Sequence, residues 1–191
     1  MMSKEELMRY AKVKASELKK MTDEELKQSF IASFGEEKWK EEEMLGKLIP
    51  LSFNVSDFLG IDYYPIMFEE MDEDSRMYLK EEYLGINNKF KENYFECVKS
   101  ITHELRHVYQ VIYAKTSNDV RALRMRKELT DPVVLNLDDI KSITNYSFQE
   151  IEIDAYAFTK WYLKNYLKMD VIHPSRDYEK IITAYMQTYF K

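Results

Sequence analysis

The chain has 191 residues, of which 45% are hydrophobic and 32% are charged, and its formal net charge is −6. This balance is typical of a globular protein with one main domain, and it lacks the basic footprint of a nucleic-acid-binding protein. No apolar run approaches the 18 residues of a membrane-spanning helix, so we expect neither a nucleic-acid nor a membrane partner.

The cellular setting is predicted from two features. Cys97 is the single cysteine, which excludes an internal disulfide and favours a reducing compartment. The first residues, Met1–Leu7, lack the apolar core of a signal peptide. Together these features predict a cytoplasmic protein, while its oligomeric state is left open.

Residues 1–49 are predicted to form a highly charged helical extension. Thr22 is a suitable helix cap, because Glu25 follows three residues later, as in a capping box. A further helix is expected to stop before Pro50, since proline interrupts the hydrogen bonding of a helix. The extension is interpreted as a packing arm, with a lid over the site or a partner-binding bundle as the alternatives.

From residue 50 onward the pattern changes, and residues 50–191 are predicted to form the main domain. Alternation of apolar and polar residues over 51–55 predicts a strand. The apolar run 64–68 is interpreted as a strand or a short helix, and residues 76–88 as a hairpin or two adjacent strands. The predicted class is therefore α+β, mostly α, with a small sheet preceding a helical part.

A long helix is predicted from Phe90 to Ala114. Its apolar residues recur at steps of three and four, which places them on one continuous stripe. At about 100° per residue, the stripe lies nearly opposite His103 and His107. Residues four apart lie one above the other on a helix, so the two imidazoles can reach a single ion. The stripe consists of Tyr94, Val98, Ile101, Leu105, Val108 and Ile112.

Glu104 completes the sequence His-Glu-x-x-His, the signature of many zinc peptidases. It projects about 100° round the helix from His103, beside a bound ion rather than on it. That position suits a general base for water activated by a metal. The alternative is a pair of ordinary surface histidines, although two of the chain's three histidines fall at this spacing around a glutamate.

A locally basic helix is predicted over residues 120–129. The preceding stretch, 116–119, interrupts the helical pattern and supplies polar residues that can cap the next helix. The basic residues Arg121, Arg124 and Arg126 are interpreted as a solvated helix face rather than as an anion-binding site.

The third metal ligand is expected in an acidic helix that begins near Gln149 and reaches about Leu167. Catalytic zinc sites commonly use two histidines, one glutamate and a water. Glu150 is the predicted ligand, because it lies at the margin of the buried helix face, and Glu152 is the alternative. Asp154, one turn after Glu150, is predicted to accept the second ring N–H of a ligating histidine. The attraction of acidic residues to the first turn of a helix would also explain these residues without a metal.

His173 precedes a proline and the last predicted helix, residues 175–190. We expect it to be a surface or capping residue. The alternative is that it donates a hydrogen bond to the oxyanion of a transition state, as a downstream His or Tyr does in some zinc peptidases.

These residues resemble the gluzincin clan of zinc metallopeptidases, the thermolysin-like group. The likeness is carried by His103-Glu104-x-x-His107 and by Glu150-x-x-x-Asp154. The stretch Glu-Ile-Glu-Ile-Asp-Ala-Tyr-Ala-Phe is also similar to the third-ligand helix of membrane-anchored and ImmA/IrrE-like peptidases. The resemblance implies a zincin-like fold, in which the sheet comes before the motif helix. The N-terminal third of the chain carries none of this likeness.

The resemblance further implies that the edge strand before the motif helix binds an extended peptide by strand addition. Leu84, Gly85 and Ile86 occupy the place of that strand. No clear counterpart of the family's downstream oxyanion-stabilising Tyr or His is evident in the sequence.

The predicted function is that of a zinc-dependent metalloendopeptidase acting on peptide or protein substrates. His103, His107 and Glu150 hold Zn²⁺, which lowers the pKa of water toward about 7 and polarises the peptide carbonyl. Glu104 takes a proton from the attacking water and delivers it to the leaving amine. The alternative is a non-proteolytic regulatory or interaction protein of the same fold with a structural metal, which the intact Glu104 disfavours.

Overall fold

The computed structural model describes residues 22–131 and 140–190. It is mostly helical with a small mixed sheet, which confirms the predicted α+β class. Two compact units divide the chain, Met1–Met44 and Leu45–Lys191. The helix expected before residue 22 lies outside the described residues, and the predicted domain boundary after residue 49 stays a prediction.

The described part of the first unit begins with helix α1, Asp23–Phe34. Thr22 caps this helix, and the Glu25 carboxylate accepts a hydrogen bond from the backbone N–H of Thr22 at 2.8 Å. The predicted capping box is therefore confirmed. Gly35 ends the helix at a φ of 91°, a conformation that glycine adopts without steric cost.

Helix α2, Glu36–Leu59, passes through Pro50, so the helix end and the strand predicted on either side of this proline are wrong. Leu51 and Val55 are one helical turn apart and buried, whereas Phe53 between them is 51% exposed. Their spacing therefore fits a helical stripe as well as a strand. Burying a large aliphatic side chain contributes about 1.5–3 kcal/mol, so a few such residues offset the roughly 3 kcal/mol cost of an internal proline.

Three short strands form the sheet in the order β1-β3-β2. β2 and β3 are antiparallel, which confirms the predicted pair of adjacent strands, and β1 runs parallel to β3. The strands are β1 (Ile66–Glu69), β2 (Ser75–Tyr78) and β3 (Tyr83–Asn87).

The prediction that Leu84, Gly85 and Ile86 form an edge strand is wrong. Leu84 pairs with Ile66 on one side and with Met77 on the other, so β3 is the middle strand. Its backbone hydrogen-bonding groups are used on both sides and cannot accept an added peptide strand. The edge strand that packs against the motif helix is β2.

The helices after the sheet form the body of the second unit. Helix α6 packs against α3, α4 and α7 and so stands at its centre. The helices predicted around the motif, the basic stretch, the acidic stretch and the C-terminus are confirmed with small differences at their ends. Among the described residues, no helix is both long enough and apolar enough to cross a membrane. The elements are α3 (Tyr94–Thr116), α4 (Val120–Thr130), α5 (Ile140–Ser147), α6 (Glu150–Tyr162) and α7 (Arg176–Tyr189).

Candidate metal centre

Helix α3 orients the two histidines of the motif in the way that the apolar stripe predicts. Val98, Ile101 and Leu105 are fully buried in the core. His103 and His107 are partly exposed on a different side of the helix. Burial of the stripe fixes the rotation of α3, and this rotation keeps the two imidazoles out of the hydrophobic core.

Three side chains converge at this side of α3. The Nε2 atoms of His103 and His107 lie 3.0 Å apart. Glu152 of α6 places its Oε2 atom 3.4 Å from His103 Nε2 and its Oε1 atom 3.5 Å from His107 Nε2. Two ligands bound at about 2.0–2.1 Å to a tetrahedral zinc ion are roughly 3.3 Å apart, so these three distances suit a common ion. The group could therefore hold a metal.

The electrostatics of the cluster favour positive charge between its members. Burial acts to raise the pKa of Glu152, but the hydrogen bond from His103 and the charges of both histidines outweigh burial and lower this pKa to about 2. Burial likewise acts to lower the pKa of His103, yet the hydrogen bond and charge of Glu152 raise it. The buried, ionised Glu152 thus needs positive charge beside it, which the imidazoles supply when protonated and which a metal ion would supply in their place.

The structure corrects the predicted third ligand. The Glu150 carboxylate lies 3.8 Å from the guanidinium of Arg124 and 3.4 Å from the hydroxyl of Tyr185, not beside the histidines. Glu152, the alternative, is 3% exposed and faces both imidazoles. Residues two apart on a helix project about 200° apart, so the carboxylates of Glu150 and Glu152 lie on opposite sides of α6.

The rotation of α6 depends on its neighbours. Polar as well as apolar residues of α6 are buried, so the hydrophobic pattern does not reveal which side meets α3. The side chain of the cap residue, Gln149, accepts no hydrogen bond from the N–H groups of the first turn of α6. Instead, the carboxylate of Glu128 in α4 accepts hydrogen bonds from the backbone N–H groups of Glu150 and Ile151, each at 3.0 Å. This cap holds the first turn of α6 against α4.

The predicted role of Asp154 is also wrong, because its carboxylate accepts no hydrogen bond from a histidine ring. It accepts hydrogen bonds from Nε and Nη2 of Arg106 at 2.8 and 3.1 Å, from Arg121, and from Nε2 of Gln110 at 2.7 Å. These four bonds fill the acceptor positions of a carboxylate. Gln110 instead contacts a histidine of the cluster, with its Oε1 atom 2.8 Å from Nδ1 of His107. Arg121, predicted to be on a solvated face, is thus a partner of a buried acid.

Glu104 stands beside the three converging groups, as the motif predicts. Its side chain is 9% exposed, and Ser75 Oγ donates a hydrogen bond to its Oε1 atom at 2.9 Å. Ser75 is the first residue of β2, so the edge strand of the sheet orients the predicted general base.

A cavity of about 470 Å³ opens next to these residues. It is lined by an acidic turn, residues 72–74, and by the connection between α6 and α7, residues 171–174. Asn87 holds the acidic turn, because its amide donates hydrogen bonds to the carbonyl oxygens of Met71 and Glu73 at 2.6 and 2.7 Å. The lining residues that bear on the chemistry are His103, Glu104, Tyr146, Glu152, Tyr156 and His173.

His173 is partly exposed, as expected, and lies in the wall of this cavity. The backbone N–H of Ser175 donates a hydrogen bond to His173 Nδ1 at 3.1 Å, so the neutral ring carries its proton on Nε2. Burial lowers the pKa of His173 and so favours that neutral form. The ring of Tyr156 stands between the two imidazoles, with centroids 4.6 Å from His103 and 5.6 Å from His173.

Two tyrosines supply further hydroxyl groups to the cavity. Tyr146 forms a hydrogen bond with Glu152, and burial together with the charge of Glu152 raises its pKa. Burial and the same carboxylate raise the pKa of Tyr156 to about 12. Both phenols therefore remain protonated hydrogen-bond donors at neutral pH.

Sequence reasoning missed three polar residues of this site. Gln110 lies three residues after His107 and so on the histidine side of the helix, but nothing in the sequence assigns it a role in the site. Ser75 and Tyr146 come from other elements, and no local spacing connects them to the motif. Their roles follow from tertiary packing alone.

No protein-family model, curated protein or solved structure matches the chain. The resemblance to gluzincins therefore stays a prediction, carried by the motif residues themselves.

Proposed function

We propose that the protein is a zinc-dependent metalloendopeptidase in which His103, His107 and Glu152 hold Zn²⁺ and Glu104 is the general base. The observation that carries the proposal is the convergence of two imidazole Nε2 atoms and one carboxylate beside the Glu104 carboxylate in a single cavity. Structural zinc sites are usually closed by four protein ligands, whereas three protein ligands leave a position for water.

When bound, zinc supplies a Lewis acid that polarises a carbonyl and lowers the pKa of water. Glu104 moves the proton: it accepts one from water as the water oxygen bonds to the peptide carbon, and it returns that proton to the nitrogen as the C–N bond breaks. The hydrogen bond from Ser75 orients the carboxylate for both steps.

Two neutral donors line the same cavity and suit the oxygen that gains negative charge in this reaction. They are the hydroxyl of Tyr156 and the Nε2–H group of His173, whereas the hydroxyl of Tyr146 is already bound to Glu152. The alternative stated above for His173, oxyanion stabilisation, thus becomes part of the proposal together with Tyr156.

The proposed substrate is an extended segment of a peptide or protein. β2 is the edge strand next to the motif helix, and its first residue bonds to Glu104. Strand addition along β2 would bring a peptide bond close to the general base. We also propose that the protein is cytoplasmic, as its single cysteine predicts.

The test combines metal analysis with cleavage of a proteome-derived peptide library, with and without chelator. Wild type is expected to bind about one zinc per chain and to cut peptides, whereas His107→Ala is expected to lose the zinc. Glu104→Gln should retain the zinc and lose about 10²–10⁴-fold in cleavage rate, the usual contribution of a general base. Glu92→Gln, at an exposed position before α3, is the matched control and should keep its activity.

Two results would reject the proposal. Equal zinc in wild type and His107→Ala would show that the histidines do not form the site. Full zinc occupancy without cleavage of any peptide would favour the non-proteolytic alternative with a structural metal.

A further inference from the structure

We propose that Gln110 is a positioning residue that sets the tautomer of His107, so that its Nε2 atom is free to bind a cation before the cation arrives. The inference builds on the metal site proposed above. The observations behind it are the hydrogen bonds of the Gln110 amide.

The orientation of the Gln110 amide is fixed by its surroundings. Gln110 is fully buried, and its Nε2 atom lies 2.8 Å from the carbonyl oxygen of Ile151 and 2.7 Å from Oδ2 of Asp154. A carbonyl and a carboxylate accept hydrogen bonds but cannot donate them, so both must face the NH₂ group of the amide. The amide oxygen then necessarily faces His107.

This orientation decides which nitrogen of His107 carries the proton. The Oε1 atom of Gln110 lies 2.8 Å from Nδ1 of His107, and an amide oxygen is an acceptor. Nδ1 must therefore be the donor. In the neutral ring the other nitrogen, Nε2, is then unprotonated, and its lone pair faces the Nε2 atom of His103, 3.0 Å away, which can donate to it.

His107, Gln110 and Asp154 form a hydrogen-bonded relay, and its last member, Asp154, is held rigidly. Asp154 is fully buried and is bound by Arg106 and Arg121 as well as by Gln110. The Arg106 guanidinium also lies over the rings of Tyr109 and Phe158, at 4.3 and 5.0 Å from their centroids. A carboxylate anchored in this way cannot turn to another donor, so it holds the amide of Gln110 in a single orientation.

Asp154 acts on His107 through the amide of Gln110, which differs from a direct contact between the carboxylate and the ring. Because the two arginines take most of the acceptor positions of Asp154, a neutral amide rather than a negative charge meets the ring. Gln110 therefore orients the ring without placing a second anion next to the cation site.

Nuclear magnetic resonance of the metal-free full-length chain tests the inference. Long-range ¹H–¹⁵N correlations at alkaline pH report the tautomer of each neutral imidazole. The chain has three histidines, so His173→Gln and His103→Gln assign the signals by elimination. In wild type, His107 is expected to carry its proton on Nδ1.

Two substitutions at the same position separate tautomer control from packing. Gln110→Met removes the acceptor, and the proton of His107 should move to Nε2, where Glu152 can accept it. Zinc affinity should then fall about 10- to 100-fold, the usual cost of losing an outer partner of a ligand. Gln110→Glu keeps an acceptor at this position, and protonation of its second oxygen lets it donate to Asp154 as the amide does. It should therefore retain the wild-type tautomer and lose less zinc affinity than Gln110→Met.

Both Gln110 variants lose the hydrogen bond to Ile151, so both should have a lower melting temperature. Thr102→Val is the control for lost stability alone, because it removes a buried hydrogen bond to Val98 O on the same helix. It should leave the tautomer of His107 and the zinc affinity unchanged.

The inference fails if wild-type His107 carries its proton on Nε2, or if Gln110→Met leaves both the tautomer and the zinc affinity unchanged. These outcomes differ from failure of the proposed function. A chain that binds no zinc, or cuts no peptide, but shows the predicted tautomers would reject the peptidase and uphold the role of Gln110.

Discussion

The two sides of helix α6 carry buried carboxylates that meet different cations. On one side, Glu152 faces the imidazoles of His103 and His107. On the other, Asp154 is bound by Arg106 and Arg121. Both arrangements satisfy the requirement that a buried charge be compensated. The Glu152 side uses groups that can also bind a metal, and the proposed chemistry belongs to it, so we call it the chemical side. The Asp154 side uses permanent cations and supports the fold, so we call it the structural side.

This difference shows what a buried carboxylate does and does not reveal. Its burial implies a cation nearby, but the cation can be an arginine as readily as a metal. Glu150 was predicted to be a ligand because zinc could compensate its charge. The structure places Arg124 near Glu150 instead, and the carboxylate that faces the two histidines is that of Glu152.

The largest effect is expected from breaking the structural side. Asp154→Ala leaves Arg106, which is 5% exposed, without its carboxylate partner. Removing one member of a buried ion pair costs about 3–5 kcal/mol in the free energy of unfolding. Urea denaturation of the metal-free protein measures this loss.

Asp177→Ala is the matched control, because Asp177 pairs with Lys180 at the surface, where both side chains are more than half exposed. Its loss should stay below about 1 kcal/mol. Equal losses in the two variants would contradict the structural role of Asp154.

Breaking the chemical side should act on metal binding. Glu152→Ala removes one of the three proposed ligands. Zinc binding at such sites is worth about 10–16 kcal/mol, so if four positions share this free energy roughly equally, about 3 kcal/mol is lost. This corresponds to roughly a hundredfold in zinc affinity. Glu150→Ala should bind zinc like wild type, because its carboxylate lies beside Arg124. Competition titration against a chelator measures both, and a severe loss confined to the Glu150 variant would reverse the assignment.

The smallest effect on stability is expected at the start of α4, the helix whose Arg121 binds Asp154. Asp119 caps this helix by accepting a hydrogen bond from the N–H of Ala122 at 2.9 Å. The hydrogen bond from the Tyr113 hydroxyl, followed by that from Ala122, lowers the pKa of Asp119 to about 2. An aspartate in the unfolded chain has a pKa of about 3.9.

Because the pKa of Asp119 is lower in the folded state, its contribution to stability is fully present above about pH 4 and is lost as the pH falls toward about 2. The difference in stability between wild type and Asp119→Asn should therefore shrink over this range. Denaturation curves recorded at several acidic pH values measure it. A difference that does not change with pH would show that the charge of Asp119 has no role in the cap.

The sequence predicted those features that depend on residues close together in the chain. The capping box at Thr22 and Glu25 involves a single helical turn, and the structure confirms it. The placement of His103, Glu104 and His107 on one helix depends on a stripe within that same helix. Such patterns succeed because the geometry of a helix is regular and carries local spacing directly into space.

Other predictions failed where one pattern allowed two structures. The alternation after Pro50 fits a strand, but its residues also fall one helical turn apart, and burial of Leu51 and Val55 decides for the helix. Leu84 belongs to a strand in either reading, but which strand forms the edge depends on β1 pairing in parallel with β3. Which strands pair with each other is decided between separate segments, so no pattern within one segment predicts it.

By itself, the sequence of this protein determined the motif helix, the side on which its histidines lie and the identity of the proposed general base, Glu104. Tertiary structure decided the third candidate ligand, because α6 is buried on both sides and its rotation is set by contacts with α3, α4 and α7. The same packing brings Ser75 to Glu104 and inserts Gln110 between His107 and Asp154. Hydrogen bonds between separate elements form only after those elements pack, so the spacing within any one of them cannot specify these contacts.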